Sequence, residues 1–394
     1  MSLFDPFSAE AIADPYPLYR RLRDETPLYR NEERGFWAVS RHADVMAVSR
    51  DWERFTVRFG VDIDNVGDVL GEGFFLAQDP PVHGRMRDVV KSAFALRTVT
   101  ERLEPGIRAE VEAIVADLAA REDADLAAEL AWTLPARAMA VLLGYPREDA
   151  DHLRDLAMDF MTRDVGSAVP PPVSDRAGLA LMEYFTDAIG AAARGAGDGL
   201  LSTMATARID GEPLGDAAVG MALLIFVGGF ENVACMITNA LLALARHPDQ
   251  RAWLAAHPQA IPAALEETLR YDAAQQNFKR TTTCDVELHG QTIPAGEPVF
   301  LLYGSGNRDE RVFDEPDRFD VHRRGGRHLG FGDGIHHCLG APMARLEGRL
   351  VLEAVLREMP GYEIAGELRR VPNHAVRGLA SLPVAAGGRA PAHA

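Results

Sequence analysis

Cysteine is scarce in this chain of 394 residues, with only Cys235, Cys284 and Cys338 present and no CxxC pair. An odd number of cysteines at wide spacing does not build a disulfide framework, which excludes a small disulfide-rich secreted fold. The first residues also lack a basic stretch followed by an apolar run. We therefore expect neither a signal peptide nor a membrane anchor, and the expected compartment is the cytoplasm.

Positive charge is in deficit, because 41 Lys and Arg residues stand against 58 Asp and Glu residues and give a formal net charge of -17. This excess of negative charge favours solubility and disfavours a general affinity for nucleic acid or anionic lipid. We accordingly predict neither a nucleic-acid partner nor a membrane partner.

One apolar run, 217–245, has the composition of a membrane span, since its only formally charged residue is Glu231 at the centre. A carboxylate at that depth costs about 2.5–3.5 kcal/mol on insertion scales. Gly228, Gly229, Asn232 and Asn239 make the run still less suited to lipid. We favour a buried helix through a large soluble core.

Repeats, low-complexity blocks and polar linkers are not found, so a single domain over 1–394 is predicted. Most of 99–207 shows helical spacing of apolar residues, interrupted by a proline-rich loop at 167–173. Further helices are predicted at 82–95, at 217–245, over a shorter stretch that ends near Arg270, and from about 338 to 358. Strands are predicted at 35–40, 286–290 and 299–303. The predicted fold class is mainly α with a small β region.

The most informative stretch is FGDGIHHCLG at 331–340. Two glycines in a polar turn allow the backbone to approach a flat ligand closely, and Cys338 then stands at the predicted start of an amphipathic helix. The unpaired N–H groups and positive end of that helix favour thiolate over thiol. A lone cysteine is ordinarily a small buried hydrophobe, so the case for a metal ligand depends on its surroundings.

This stretch resembles the cysteine loop of the cytochrome P450 family at Phe331, Gly332, Gly334, His336, Cys338 and Gly340. The resemblance extends over nearly the whole chain and implies the triangular-prism haem-thiolate fold of that family. It also implies haem b (iron protoporphyrin IX) as the cofactor, with Cys338 as the iron ligand. Phe331, His336 and Gly340 would then contact the haem.

Glu267-Thr268-Leu269-Arg270 resembles the ExxR element of the same family, in which Glu and Arg three apart share one helix face. The resemblance implies that Glu267 and Arg270 join Arg323 in a buried charge network that braces the cysteine loop. Taken alone, a pair at this spacing is usually a solvated salt bridge.

The segment DPPVHGRMR at 79–87 is similar to the start of the family's C helix. His83 and Arg87 lie four apart, on one helix face. The resemblance implies that these two residues, with Arg280 and His336, donate hydrogen bonds to the two haem propionates. Each of the four, taken singly, is more often a surface residue.

The segment GGFEN at 228–232 aligns with the family's oxygen-binding groove, usually written A/G-G-x-D/E-T. The resemblance implies that Gly228 and Gly229 let haem and dioxygen approach the helix, and that Glu231 manages proton delivery. The chain departs at Asn232, where most members have threonine. Asn232 is predicted either to order a relay water, to bind a polar substrate group, or merely to pack within the helix.

A second departure follows Arg270, where the family commonly has an apolar, proline-containing run and this chain has AAQQNFKR at 273–280. This makes Gln275, Gln276, Asn277 and Phe278 candidates for the substrate pocket. Together with Asn232 they favour a substrate with ring amides, hydroxyls or ethers. The remaining pocket wall is expected from 56–78 and 158–174.

The resemblance implies an oxygen-dependent monooxygenase acting on a small organic molecule of the secondary-metabolite type. Electrons would come from a separate ferredoxin and its NAD(P)H-dependent ferredoxin reductase. The basic residues near the thiolate are predicted either to form the docking face for that donor or to be ordinary loop residues. They are His322, Arg323, Arg324, Arg327 and His328, with Arg345 and Arg349 further along.

Two other functions remain as alternatives. Oxidative C–C or C–O coupling would tolerate the loss of the usual threonine. A catalytically silent haem-fold module that recruits another protein is a different class. Against that class, the chain retains Cys338, Gly228, Gly229 and Glu231.

Overall fold

The computed structural model describes residues 2–63 and 73–386, and helices dominate this part of the chain. The helices are α1 (Ala9–Ala13), α2 (Tyr16–Glu25), α3 (His42–Arg50), α4 (Val82–Val90), α5 (Leu96–Thr98), α6 (Glu104–Ala119), α7 (Leu134–Leu143), α8 (Ala150–Phe160), α9 (Pro172–Ala193), α10 (Leu200–Thr206), α11 (Ala217–Arg246), α12 (Pro248–Ala256), α13 (Ile261–Tyr271), α14 (Tyr303–Gly306) and α15 (Ala341–Glu358). The mainly α fold class with a small β region is confirmed.

The strands are short. They are β1 (Leu28–Asn31), β2 (Phe36–Val39), β3 (Phe55–Thr56), β4 (Asp123–Asp125), β5 (Arg208–Ile209), β6 (Glu212–Pro213), β7 (Asn277–Thr282), β8 (Val286–Leu288), β9 (Gln291–Ile293), β10 (Pro298–Leu302), β11 (Glu363–Ile364), β12 (Arg369–Arg370), β13 (Leu379–Ser381) and β14 (Pro383–Ala385). The main sheet has the order β1-β2-β10-β7-β3, in which only β2 and β10 are parallel. A three-stranded sheet, β11-β14-β4, and three strand pairs complete the described β structure.

The long helix α11 runs through the largest hydrophobic core and has 20 buried residues out of 30. By length and composition, α11 and the helical region Leu126–Leu143 are the two described segments able to cross a membrane. However, 67% and 78% of their most apolar windows are buried inside the fold. The prediction of a buried helix at 217–245 is therefore confirmed.

The polar residues of α11 hold the C-terminal segment against the helix. Asn239 Nδ2 donates to the carbonyl oxygens of Asp272 and Arg377, each at 2.8 Å. The backbone contact is so close that a Cβ atom on Gly378 would lie 2.7 Å from the Cα of Cys235. Asn239 thus satisfies two carbonyl groups that the core would otherwise leave unpaired.

Two predicted boundaries need correction. The last helix, α15, begins at Ala341 with Gly340 as its N-cap, and not at Cys338. The reason is that the Cys338 backbone N–H donates to Phe331 O, at 2.9 Å, within the loop. The proline-rich loop ends earlier than predicted because Pro172 is the first residue of α9, a position where proline is tolerated.

We predict that Asn239→Ala lowers the free energy of unfolding by about 1–3 kcal/mol, the usual penalty for leaving a buried polar partner unsatisfied. Urea or thermal unfolding measures this change. Thr203→Ala, at an exposed helix position, is the control and should stay within about 0.5 kcal/mol of the parent. Equal stabilities of the two variants would contradict this interpretation of Asn239.

Candidate active site

A cavity of about 1330 Å³ lies between α11 and the 331–340 loop, with residues of α4, β7 and α15 completing its wall. Its wall brings apolar side chains, basic side chains and one thiol to the same space. Cys338 and Gly228 both belong to its wall.

The loop that carries Cys338 depends on two left-handed glycines. Gly332 and Gly334 have φ values of +66° and +69°, which side chains rarely tolerate. A Cβ atom on Gly334 would also lie 2.5 Å from Ser49 O, at the end of α3. Only glycine allows the loop to turn this sharply against α3.

The Cys338 side chain is accessible only from the cavity, because protein surrounds it on the other sides. Burial raises the pKa of the Cys338 thiol, and the N–H groups of Gly340 and Ala341 and the nearby Arg87 only partly offset this. The N–H groups at the start of α15 favour the thiolate, as the sequence predicts, but burial of the thiol outweighs them. Metal coordination deprotonates a thiol outright.

Four basic side chains gather on the same cavity wall: His83, Arg87, Arg280 and His336. The rings of His83 and His336 have centroids 4.3 Å apart. Arg87 donates to His337 O at 2.8 Å, and Arg280 to Lys279 O at 3.0 Å. Within the described residues, neither guanidinium forms an ion pair with a carboxylate.

His336 shows most clearly that the basic groups of this wall lack a negatively charged partner in the described part of the chain. Both of its ring nitrogens are buried and have no hydrogen-bond partner within the described residues. Burial, with the charges of Arg280, His83 and Arg87, lowers the pKa of His336 to about 2. Burial also lowers the pKa of His83, Arg87 and Arg280. An anionic ligand would relieve all four groups.

These features fit haem. A thiol on the wall can bind the iron, and a wall with uncompensated basic groups can hold two propionates. On this arrangement Cys338 would hold the metal and the four basic residues would hold the carboxylates. Phe331 and Gly340 also line the cavity, as predicted.

The structure brings Glu267, Arg270 and Arg323 together. The Glu267 carboxylate accepts from Arg270 at 2.7 and 2.8 Å and from Arg323 at 3.1 Å. Arg270 further donates to the carbonyls of Asn307 and Pro316. Glu267 and Arg270 are almost fully buried. The pair is therefore not a solvated salt bridge, and it ties α13 to the segment before the cysteine loop.

Gly228 and Gly229 have different surroundings. A Cβ atom on Gly228 would meet nothing within 4 Å, so this glycine leaves bare helix backbone at the cavity. A Cβ atom on Gly229 would lie 2.8 Å from the sulfur of Met139, on α7. Both glycines line the larger cavity, where Gly228 leaves open backbone and the Met139 side chain occupies the space beside Gly229.

Glu231 and Asn232 line a second cavity of about 740 Å³ that adjoins the first. Asn232 belongs to the walls of both cavities, and its Oδ1 atom is buried without a partner within the described residues. Glu231 Oε1 lies 3.5 Å from Asn373 Nδ2. Asn232 therefore does not merely pack within the helix, since its acceptor is available to a ligand or water.

Of the four residues predicted to line the substrate pocket, two line these cavities and two do not. Gln275 and Phe278 line both cavities, whereas Gln276 and Asn277 line neither. Side chains of β7 alternate, so Phe278 and Arg280 face the larger cavity while Asn277 turns away and donates to His374 O. Gln276 precedes the strand and its Nε2 donates to Ala273 O.

The predicted pocket segments contribute in part. Residues at 74–76 and at 160–163 line the two cavities, while 64–72 lies outside the described residues. The wall residues that were not predicted from the sequence include Tyr303, Glu347 and Asn373. Glu347 is fully buried with both carboxyl oxygens unpaired within the described residues, and burial raises its pKa well above the usual range. No local sequence pattern distinguishes these residues.

Most of the basic residues near Cys338 are neutralised by acidic neighbours. Arg345 and His328 share the Glu266 carboxylate, and Arg349 pairs with Glu104 and Glu353. Two other arginines, Arg50 and Arg327, share the single buried carboxylate of Asp333. That cluster keeps a net positive charge, and Arg324 beside it is exposed. The basic surface is therefore smaller than the sequence predicts.

Comparison with known proteins gives one family. The family model described as Cytochrome P450 matches residues 259–359. A Mycobacterium tuberculosis protein named putative cytochrome P450 123 is 40% identical over 394 residues, which cover 98% of each chain. The structure of Mycobacterium marinum cytochrome P450 CYP268A2 in complex with pseudoionone superposes with a TM-score of 0.88, at 33% identity and 96% coverage of both chains. HmtN, a post-tailoring hydroxylase involved in himastatin biosynthesis, superposes with a TM-score of 0.85, at 30% identity, covering 95% of this chain and 98% of its own.

Proposed function

Since the chain belongs to the cytochrome P450 family of haem-thiolate enzymes, we propose that Cys338 binds the iron of haem b and that the enzyme oxidises a small organic molecule of the secondary-metabolite type. The observation that carries this proposal is the position of the Cys338 thiol and four uncompensated basic groups on one cavity wall. When bound, the haem supplies reductive activation of dioxygen, which a thiolate ligand favours.

The protein's own residues would then position reactants and protons. His83, Arg87, Arg280 and His336 hold the propionates, and Glu267, Arg270 and Arg323 brace the cysteine loop. Glu231 accepts protons and delivers them into the cavity beside Gly228. We also propose that 1–394 forms one domain, which is supported by a main core containing residues from 57 to 386.

The substrate should be largely apolar with one or two polar groups. Leu76, Leu224 and Phe278 belong to the walls of both cavities. Among the polar candidates, only Asn232 and Gln275 remain in contact with that space. Gln275 Nε2 donates a hydrogen bond to Asn277 O at 2.7 Å, and the Oε1 atom of Gln275 remains as an acceptor for substrate. A hydroxyl, ether or amide on an otherwise apolar skeleton would match this wall.

Electrons should come from a separate ferredoxin and an NAD(P)H-dependent ferredoxin reductase in the cytoplasm. The support is electrostatic, because Arg50, Arg324 and Arg327 form a locally positive area on a chain of net charge -17. Such an area attracts an acidic protein and selects against like-charged contacts. Arg50 and Arg327 contact the loop that carries Cys338 through their shared ion pair with Asp333.

The first test is spectroscopic. The dithionite-reduced protein with carbon monoxide should show the strongly red-shifted Soret band of thiolate-ligated haem, and Cys338→Ala should abolish it. Cys235→Ala and Cys284→Ala are the matched controls and should keep the band. Retention of the band in the Cys338 variant, or its loss in either control, would assign the ligand to another residue.

The second test concerns electron delivery. Turnover should fall as salt is raised beyond physiological ionic strength, where the Debye length is about 8 Å. Replacing Arg324 and Arg327 with Glu should raise the ferredoxin concentration needed for half-maximal rate. Because Arg327 also pairs with Asp333, the Soret band must first show that the loop is intact. Replacing Arg20 and Arg21 on α2 with Glu is the charge-matched control, because both side chains are exposed. Unchanged kinetics in the Arg324 and Arg327 variant would place the donor elsewhere.

The third test separates the two roles open to Asn232. We propose that its amide binds substrate, so Asn232→Ala should weaken equilibrium binding by about 1–3 kcal/mol, with less effect on the coupling of NAD(P)H to product. A relay role would instead preserve binding and release reduced oxygen as peroxide, and Asn232→Thr would restore coupling. Unchanged affinity with markedly increased peroxide would reject the substrate role.

A further inference from the structure

We propose that Asn373 is a positioning residue that orients the Glu231 carboxylate for proton delivery. This inference rests on the role proposed above for Glu231. Asn373 lies 142 residues from Glu231 in sequence, yet the two side chains share the wall of the 740 Å³ cavity. That cavity adjoins the larger one at Gly228 and Asn232.

The amide of Asn373 has only one possible orientation. Its Oδ1 atom accepts from the backbone N–H groups of Ala375 at 2.9 Å and Val376 at 3.4 Å. Its Nδ2 atom donates to Met161 O at 3.4 Å and to Glu231 Oε1 at 3.5 Å. All four hydrogen-bonding positions of an amide are therefore used. A flipped amide would turn its oxygen toward a carboxylate and a carbonyl.

The segment that carries Asn373 is itself anchored. Gln276 N donates to Ala375 O at 2.7 Å, and Asn277 Nδ2 donates to His374 O at 2.9 Å. Arg377, immediately beyond, forms a buried ion pair with Asp272 at 2.8 Å. The donor that faces Glu231 is thus held by the start of β7 and the end of α13, and not by a loose loop.

An amide is suited to this task. It donates a hydrogen bond to a carboxylate without itself carrying a positive charge. Glu231 can then take a proton from water and pass it to a water in the cavity, which regenerates the carboxylate. Asn373 neither gives nor takes a proton. Its second bond, to Met161 at the end of α8, ties the position of the acid to the helix preceding 162–171.

Two variants test the proposal. Asn373→Asp keeps the acceptor for Ala375 and Val376, and with it the turn, but removes the Nδ2 donor; Asn373→Ala removes both. Each should raise the share of NAD(P)H electrons released as hydrogen peroxide by about 2- to 10-fold, the equilibrium factor that one net hydrogen bond is worth. Substrate affinity, from Soret titration with a compound that shifts the band, should change less than the peroxide share.

Asn277→Ala is the matched control. It removes a donor bond to the same segment, at His374 O, but Asn277 does not reach Glu231. Because this bond also anchors the segment, the loss of coupling should be smaller than in either Asn373 variant. If Asn277→Ala released as much peroxide as the Asn373 variants, the effect would come from displacement of the segment and the proposal would be overturned.

The Glu231→Gln background completes the test. There Asn373→Asp should add no peroxide, because the carboxylate that it positions is gone. Thermal unfolding gives a second readout: Asn373→Asp places two carboxyl groups in contact and should lower the melting temperature, and Glu231→Gln should recover part of that loss. Additive effects would refute the inference. If Glu231→Gln leaves coupling unchanged, the proposed acid role fails as well, whereas a Glu231 effect without an Asn373 effect removes the inference alone.

Discussion

The cysteine loop is held from several sides so that one sulfur atom faces the cavity, and the rest of the site depends on that constraint. Gly334 packs against the last turn of α3, and Asp333 receives Arg50 and Arg327. Asn307 accepts from Leu329 N just before the loop and also binds the Arg270 guanidinium through its carbonyl. The charge network of α13 is thus connected through Asn307 to the segment that leads into the cysteine loop.

The same cavity has an electrostatic requirement. Burying cations without partners costs several kcal/mol per ion, and Arg87 and Arg280 line this wall without carboxylate partners in the described residues, beside two histidines whose pKa is lowered. A dianionic cofactor would remove that penalty, so binding of the cofactor and stability of the fold should be linked. The orphaned ring nitrogens of His336 mark the place where this linkage is strongest.

Helix α11 connects the site to the core. Gly228 leaves its backbone bare at the cavity, and the Met139 side chain packs against Gly229. Ten residues further along the helix, Asn239 donates hydrogen bonds to Asp272 O and Arg377 O and so holds the C-terminal segment. That fastened segment includes Asn373, which returns to the helix at Glu231. The helix therefore carries the groove, the acid and the anchor of the residue that orients the acid.

Local sequence determined the parts of this protein that lie within one continuous segment. The fold class, the buried character of α11, the cysteine loop and the Glu267–Arg270 spacing could all be predicted, because helical and turn geometry relate residues a few positions apart. Strand alternation could have separated Phe278 from Asn277, but the start of β7 was needed to apply it.

Only the tertiary structure decided which distant groups meet. It showed that Glu266 neutralises Arg345, that Met139 fills the space at Gly229, and that Tyr303 and Glu347 line the cavity. It also brought Asn373 to Glu231 across 142 positions. Such contacts depend on how helices and strands pack, and no spacing along the chain contains that information. The sequence by itself therefore predicted Cys338 as the iron ligand and the loop that carries it, whereas the charge balance, the pocket wall and the proposed orientation of the acid depend on packing.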